Sequence, residues 1–135
     1  PHTFTEKTLL RWSKFPLQFW RFGYDDITER DEATEMMRLL KHHSYRGDKV
    51  RVYTLLGNEP KEVCLQRIRE VIAAGFFPWP QRVRPLGWTE GPLPTAHGWT
   101  EPDLVAIQRF YNIPQLWRSV KPEDFEYCGR FPFRD

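Results

Sequence analysis

Residues 51–75, "RVYTLLGNEPKEVCLQRIREVIAAG", decide the fold. The run "KVRVYTLL", residues 49–56, is β-branched and aromatic and lies between Gly47 and Gly57, so it reads as a strand. Pro60 suits the first turn of a helix. After it, Val63, Cys64, Arg67, Ile68, Val71 and Ile72 recur at helical spacing and trace an apolar stripe in which Arg67 is the one polar member. Gly75 stands where a helix C-terminal cap is needed. The stretch is a strand, a tight turn and an amphipathic helix, and the turn, "LLGNEP", either holds a ligand or only reverses the chain.

The same pattern repeats on both sides. Upstream, "LQFWRFG", residues 17–23, reads as a strand ending at Gly23, and Thr28 with Asp31 resembles a helix N-cap. That helix is expected over about Glu29–His43, with Ala33, Met36, Met37 and Leu40 on its apolar face. Downstream, "FFPWPQRVRPL" is a third strand, whose ladder is expected at Gln81–Arg84 because prolines bracket or interrupt the rest. A Gly- and Pro-rich loop covers Leu86–Gly98, and Thr100 with Asp103 caps a last helix, about Glu101–Asn112, carrying Leu104, Ile107, Phe110 and Tyr111. A short helix at residues 5–14, capped by Thr5 or Thr3 and ended by Pro16, precedes all of this. The tail, residues 113–135, has no clean periodicity, but its aromatics imply packing against the rest.

The order after the first helix is β-α-β-α-β-α, with strands about 30 residues apart, the size of a βαβ unit. Such alternation predicts an α/β fold with a parallel sheet and right-handed crossovers. Ligands of open parallel sheets sit at the carboxyl ends of the strands. That rule selects three loops: Tyr24–Ile27, Gly57–Pro60 and Pro85–Gly98.

The chain's 135 residues fit a single domain, with a core over about residues 15–112 and a tail from 113. A net charge of +2, with acids and bases interspersed, argues against a nucleic-acid role on charge alone. No apolar run approaches the roughly 20 residues of a membrane span, and the amino terminus has no signal-peptide pattern. Two distant cysteines, Cys64 and Cys128, form neither a disulfide framework nor a zinc site, so a reducing, cytoplasmic compartment is expected. The first residue is Pro, not Met, which leads us to expect a trimmed chain or a piece of a longer one.

Each candidate residue has two readings. Asp25 and Asp26 are either contacts to a polar ligand or an acidic lead into a helix, where the dipole favours negative charge. Gly57, Asn58 and Glu59 are either a turn that approaches a ligand or plain helix initiation. Arg82 and Arg84 are two apart and project to one side of an extended strand. They face a ligand, pair with acids such as Asp25, Asp26 or Glu59, or lie in solvent on an edge strand. His42 and His43 close a helix and have no partners at metal-ligand spacing, and His97 is isolated from any Ser or Cys nucleophile.

The series "LQFWRFGYDD", "DKVRVYTLLGNEPKEVCLQRIREVIAAGFFPWPQRVRPL" and "LVAIQRFYNIPQLWRSV" resembles the carboxyl half of radical S-adenosylmethionine (radical SAM) proteins over about residues 15–120. The resemblance implies half of a partial (β/α)6 TIM-type barrel, strands four to six. It implies S-adenosylmethionine contacts at Asp25 or Asp26, at the turn of Gly57, Asn58 and Glu59, and near Arg82 and Arg84. The family's CxxxCxxC motif, which holds a [4Fe–4S] cluster, is absent, so the chain is expected not to cleave S-adenosylmethionine alone. Half a barrel leaves open edges and an open face, so its partners are expected to be the missing amino half or a second copy in a homodimer. Two other classes fit the composition: a non-enzymatic interaction module, and single-stranded nucleic-acid binding through "RFYNIPQLWR" and "FWRFGYDD".

Overall fold

A computed structural model of the chain describes residues 3–16, 18–91 and 95–134. Leu17, the expected start of the first strand, and residues 92–94 of the Gly/Pro loop lie outside the described residues. Helix α1 (Glu6–Trp12) is followed by β1 (Trp20–Gly23), α2 (Arg30–His42), β2 (Val50–Leu56), α3 (Lys61–Ala73), β3 (Phe77–Arg82), α4 (Glu101–Asn112) and α5 (Pro114–Ser119). The three strands form one parallel sheet in the order β1-β2-β3, with β2 in the centre. The fold is thus α/β, an open parallel sheet built from β-α units.

Local chemistry sets the helix boundaries. Thr5 caps α1 through its side chain, and Thr100 caps α4 the same way. At α2 the expected cap, Thr28, is displaced. Asp26 accepts from the Thr28 N–H and hydroxyl instead, and a 3-10 turn (Ile27–Glu29) leads into the helix. Gly75 ends α3 with φ +87, a conformation that disfavours any side chain.

The third strand runs earlier than its prolines led us to expect, over Phe77–Arg82 and not Gln81–Arg84. Pro78 and Pro80 are inside it, opposite Val52 and Thr54. Proline is tolerated there because β3 is an edge strand, where its missing N–H leaves no ladder bond unmade. The Pro80 carbonyl accepts from Gln108 Nε2 and Asn112 Nδ2 at 3.1 and 3.3 Å, so α4 closes this edge.

The central strand is fully buried on one face only. Along β2, Val50, Val52, Thr54 and Leu56 are buried, while Arg51, Tyr53 and Leu55 are half-buried. One part of the core joins Leu9, Tyr24, the inner face of α2, Val50, Val52, Val71 and Phe76. A second joins Leu56, Cys64, Leu65 and Ile68 to Trp99, Leu104, Ile107, Phe110 and Tyr111. The tail does pack: Phe125 and Phe133 lie 4.8 and 5.0 Å from the Phe110 ring.

One close approach ties the two crossovers together. A Cβ built at Gly47, before β2, would sit 2.0 Å from the backbone oxygen of Gly75, at the end of α3. Backbone cannot yield as a side chain can. Gly47→Ala is expected to cost at least about 2 kcal/mol, as overpacking of a rigid site does. Urea denaturation will show this as a lower midpoint at unchanged slope. An unchanged midpoint would contradict the close packing of these two loops.

Candidate functional site

The carboxyl edge of the sheet gathers the β1–α2 turn, the β2–α3 turn and Trp99. At its centre lies Arg67, from the middle of α3, with no solvent exposure. Its Nη1 donates to the Tyr24 carbonyl at 2.7 Å, and its Nη2 to the Leu55 carbonyl at 2.8 Å and Asn58 Oδ1 at 3.2 Å. Glu59 Oε2 is 2.9 Å from Nη2. The Nη2 hydrogens are spent on the other acceptors, so this contact is Coulombic and the oxygen makes no directed hydrogen bond. Arg67 thus joins the ends of β1 and β2.

The turn "LLGNEP" completes the lock. Gly57 has φ +96, which puts the chain in the left-handed region and turns it sharply after Leu56. Asn58 Nδ2 donates to the Asp25 carbonyl at 2.6 Å. Glu59 Oε1 accepts from the Ile27 N–H at 3.1 Å, and the Glu59 carbonyl accepts from Trp99 Nε1 at 2.8 Å. The buried Cys64 thiol points to the same carbonyl at 3.5 Å. Beside it, the Tyr24 hydroxyl donates to Glu70 at 2.8 Å, and Arg30 pairs with Glu70 at 2.7 Å. Burial and the Glu70 carboxylate push the Tyr24 phenol well above its ordinary pKa.

The structure therefore brings Asp25, Asp26, Gly57, Asn58 and Glu59 together and leaves Arg82 and Arg84 apart. Of the open readings of Arg82 and Arg84, pairing with Glu59 is overturned, because the partner of Glu59 is Arg67. Because β3 ends at Arg82, the two arginines do not share one strand face. Arg82 is registered with the helix-facing Leu56 and lies 3.9 Å from Glu101, while Arg84 is exposed with its guanidinium 5.4 Å from the Trp88 ring centre. Asp26 serves as a helix cap, and its hydrogen bonds from Thr28 hold its carboxyl below the usual range.

Asp25 is the exception. Its N–H donates to Glu29 at 2.8 Å, but its buried Oδ1 has no partner. Desolvation, and then the Glu29 carboxylate, raise its pKa above the ordinary value. The carboxyl rests over Gly23, where an added Cβ would meet Oδ2 at 3.2 Å. Asp25 thus lies over Gly23 at the carboxyl edge, with its buried Oδ1 left without a partner. Among the described residues, no group of three or more His, Cys, Asp or Glu could hold a metal.

No family model and no curated protein matches this sequence, and no solved structure matches its fold. The site must be read from its own geometry.

Two tests follow from that geometry. Arg67→Met strands Glu59 in the core as an unpaired charge, and is expected to cost about 3–5 kcal/mol in chemical denaturation. Adding Glu59→Gln, which keeps an acceptor for Ile27, should return on the order of 1 kcal/mol. Strict additivity of the two changes would rule out the ion pair.

The second test concerns Asp25. A carboxyl whose folded pKa is raised favours the fold at acidic pH and loses that contribution as pH rises through the raised value. Asp25→Asn is therefore expected to be more stable than the parent at neutral pH, with the difference closing below the ordinary carboxylate range. Melting temperatures across that range will decide. A variant less stable at neutral pH would show that Asp25 is satisfied after all.

Proposed function

We propose that this chain is the carboxyl half of a radical SAM-type partial (β/α)6 barrel. On this reading its half-buried sheet face is part of the inner wall, and its carboxyl edge is the place for S-adenosylmethionine. The observation that carries the reading is that helices fully bury one face of the central strand of a wholly parallel sheet and leave the other half-buried, with α5 reaching it only at Phe77 on the edge strand. Parallel sheets otherwise have both faces buried, and a barrel wall is the common arrangement in which helices line a single side.

The two edges add support. The β3 edge is closed by Pro78, Pro80 and α4, as suits the last strand of an open barrel. The β1 edge is free among the described residues. The Tyr24 N–H points inward to the Tyr53 carbonyl at 2.8 Å, so by strand alternation the Arg21 and Gly23 N–H groups point outward. A preceding strand of an amino half would pair there. Where that half is absent, two β1 edges pair with each other in a homodimer.

The residues fit S-adenosylmethionine in part and the iron–sulfur cluster not at all. Asp25 keeps a carboxyl not committed within the protein: its Oδ1 is buried without a partner, so an ammonium or ribose hydroxyl would meet Oδ2, over Gly23. Asn58 and Glu59 are committed to Asp25, Ile27 and Arg67 and serve by shaping the turn. Cys64 is buried against Glu59 and Cys128 is exposed in the tail, so the chain lacks a thiolate set for a cluster. Binding without cleavage is the activity this half retains.

Calorimetric titration with S-adenosylmethionine tests the cofactor edge. Weak binding is expected, reduced about tenfold or more by Asp25→Ala, since removing a charged hydrogen-bond partner costs roughly 1.5–3 kcal/mol. Sedimentation tests the β1 edge: a dimer is expected for the parent and a monomer for Arg21→Pro. A parent that is monomeric and gives no heat with S-adenosylmethionine would overturn the proposal.

A further inference from the structure

The tail closes a cavity that the sheet edge does not use. On α3, Glu62, Leu65 and Arg69 stand three and four residues apart and so share one side of the helix. A 3-10 turn of the tail (Pro122–Asp124), Phe133, and Tyr111 at the end of α4 complete the lining. The space between them is about 240 Å³, below the roughly 300–1,000 Å³ of sites for drug-sized ligands. Its floor is buried. Leu65 packs there beside the Tyr111 ring, whose centre lies 4.9 Å from that of Phe110 and 5.7 Å from that of Phe133. Its rim is charged and exposed, with Glu62 and Arg69 on the helix and Glu123 on the turn.

One group of the floor calls for a partner. Tyr111 is only 4% exposed, yet its hydroxyl makes no hydrogen bond among the described residues. Burial pushes the phenol up to about 12, and the two charges that act on it, Arg69 lowering and Glu62 raising, both belong to the rim. The hydroxyl therefore faces the cavity. The rim then sets the sign of the ligand. Arg69 is spent: its Nε donates to the Leu65 carbonyl at 3.2 Å and its Nη2 to both oxygens of Glu62. The Glu123 carboxylate has no ion-pair partner among the described residues. Arg134 gives its Nε to the Glu123 carbonyl at 2.7 Å and lays its guanidinium on the Phe131 ring. An anion would meet two carboxylates and a guanidinium already answered. A neutral apolar ligand would dry the hydroxyl without pairing it. A cation with N–H groups meets an open carboxylate and a phenol oxygen able to accept.

We infer that this cavity binds a small primary alkylammonium ion. The ammonium donates to the Tyr111 oxygen and is answered by the Glu123 carboxylate, while the alkyl body lies against Leu65, Pro122 and Phe133. The Tyr111 and Phe133 rings meet at 89°, and ring faces attract a cation. The small volume limits the body to a short chain. The site shares no residue with the Asp25 edge or the β1 edge, so it stands apart from the half-barrel reading.

Titration of isotope-labelled protein with n-butylamine, followed by the amide signals of Leu65, Tyr111 and Phe133 in two-dimensional NMR, is the experiment. A dissociation constant on the order of 1 mM is expected for so few atoms. Tyr111→Phe keeps the ring in the core and removes only the hydroxyl. It should weaken binding about tenfold, the scale of one hydrogen bond to a charged group. Glu123→Gln, on an exposed turn, should weaken it about threefold, as loss of an exposed ion pair does. Butyrate, with the same body and the opposite charge, and butanol, with none, should each bind at least about tenfold more weakly than the amine. No saturable shift in the parent would overturn the proposal. So would butyrate binding as tightly as butylamine, binding unchanged in both variants, or shifts confined to amides outside the lining. Thermal melts confirm that each variant is folded. Asp25→Ala should leave this binding unchanged, which separates it from the cofactor edge.

Discussion

A guanidinium sealed inside a small protein constrains everything around it. Arg67 is fully buried, and removing a charge from water costs several kcal/mol after relaxation. Its position is tolerable only because two carbonyls, an amide and a carboxylate converge on it from three segments. Those acceptors exist in that arrangement only if β1 and β2 end side by side and the chain turns sharply after Leu56. The ion pair therefore does more to specify the strand ends than to stabilise them. A sheet slipped by one residue would leave the guanidinium without acceptors and Glu59 without its counter-charge. The buried Nε has no partner, a cost the other contacts must offset.

The sequence makes the frame legible because its periodicities are clean. The β-branched run of β2 and the stripe of α3 leave little choice of element, and Thr5, Thr100 and Gly75 mark boundaries that local hydrogen bonding alone can set. Two features are not local and escape it. The extent of β3 depends on the strand lying at an edge, where Pro78 and Pro80 are harmless; a rule about proline in strands cannot know the strand order. The partner of Glu59 is likewise fixed by tertiary placement. Arg82 and Arg84 are the arginines the sheet rule selects, whereas Arg67 sits in a helix facing inward. Its signal was present as the single polar member of an apolar stripe. A cation on a buried helical face demands a buried anion, and the nearest acid at the facing strand end is Glu59.

This reassigns the turn "LLGNEP". Gly57 turns it, Asn58 and Glu59 bind it to the β1 loop and to Arg67, and Trp99 clamps its carbonyl. Residues so fully committed within the protein have little left for a ligand. What remains is Asp25, held half-buried and short of a hydrogen-bond partner by the same network. Its carbonyl is fixed by Asn58 and its N–H by Glu29, so the carboxyl is aimed while the backbone is immobile. A rigid support under one unsatisfied group is the arrangement a binding site requires.

The sheet's asymmetry extends the same logic to its partners. The β3 edge is finished within the chain, by prolines that cannot donate and by α4 side chains that take the Pro80 carbonyl. The β1 edge has no such device among the described residues, although exposed edges are usually blunted or covered. A chain that protects one edge and leaves the other open fits the proposed joining on one side. Such joining extends the sheet without covering its half-buried face, since neighbours in a sheet meet edge to edge. The arginines of that face already lie against its own rings, a state that keeps both partly desolvated.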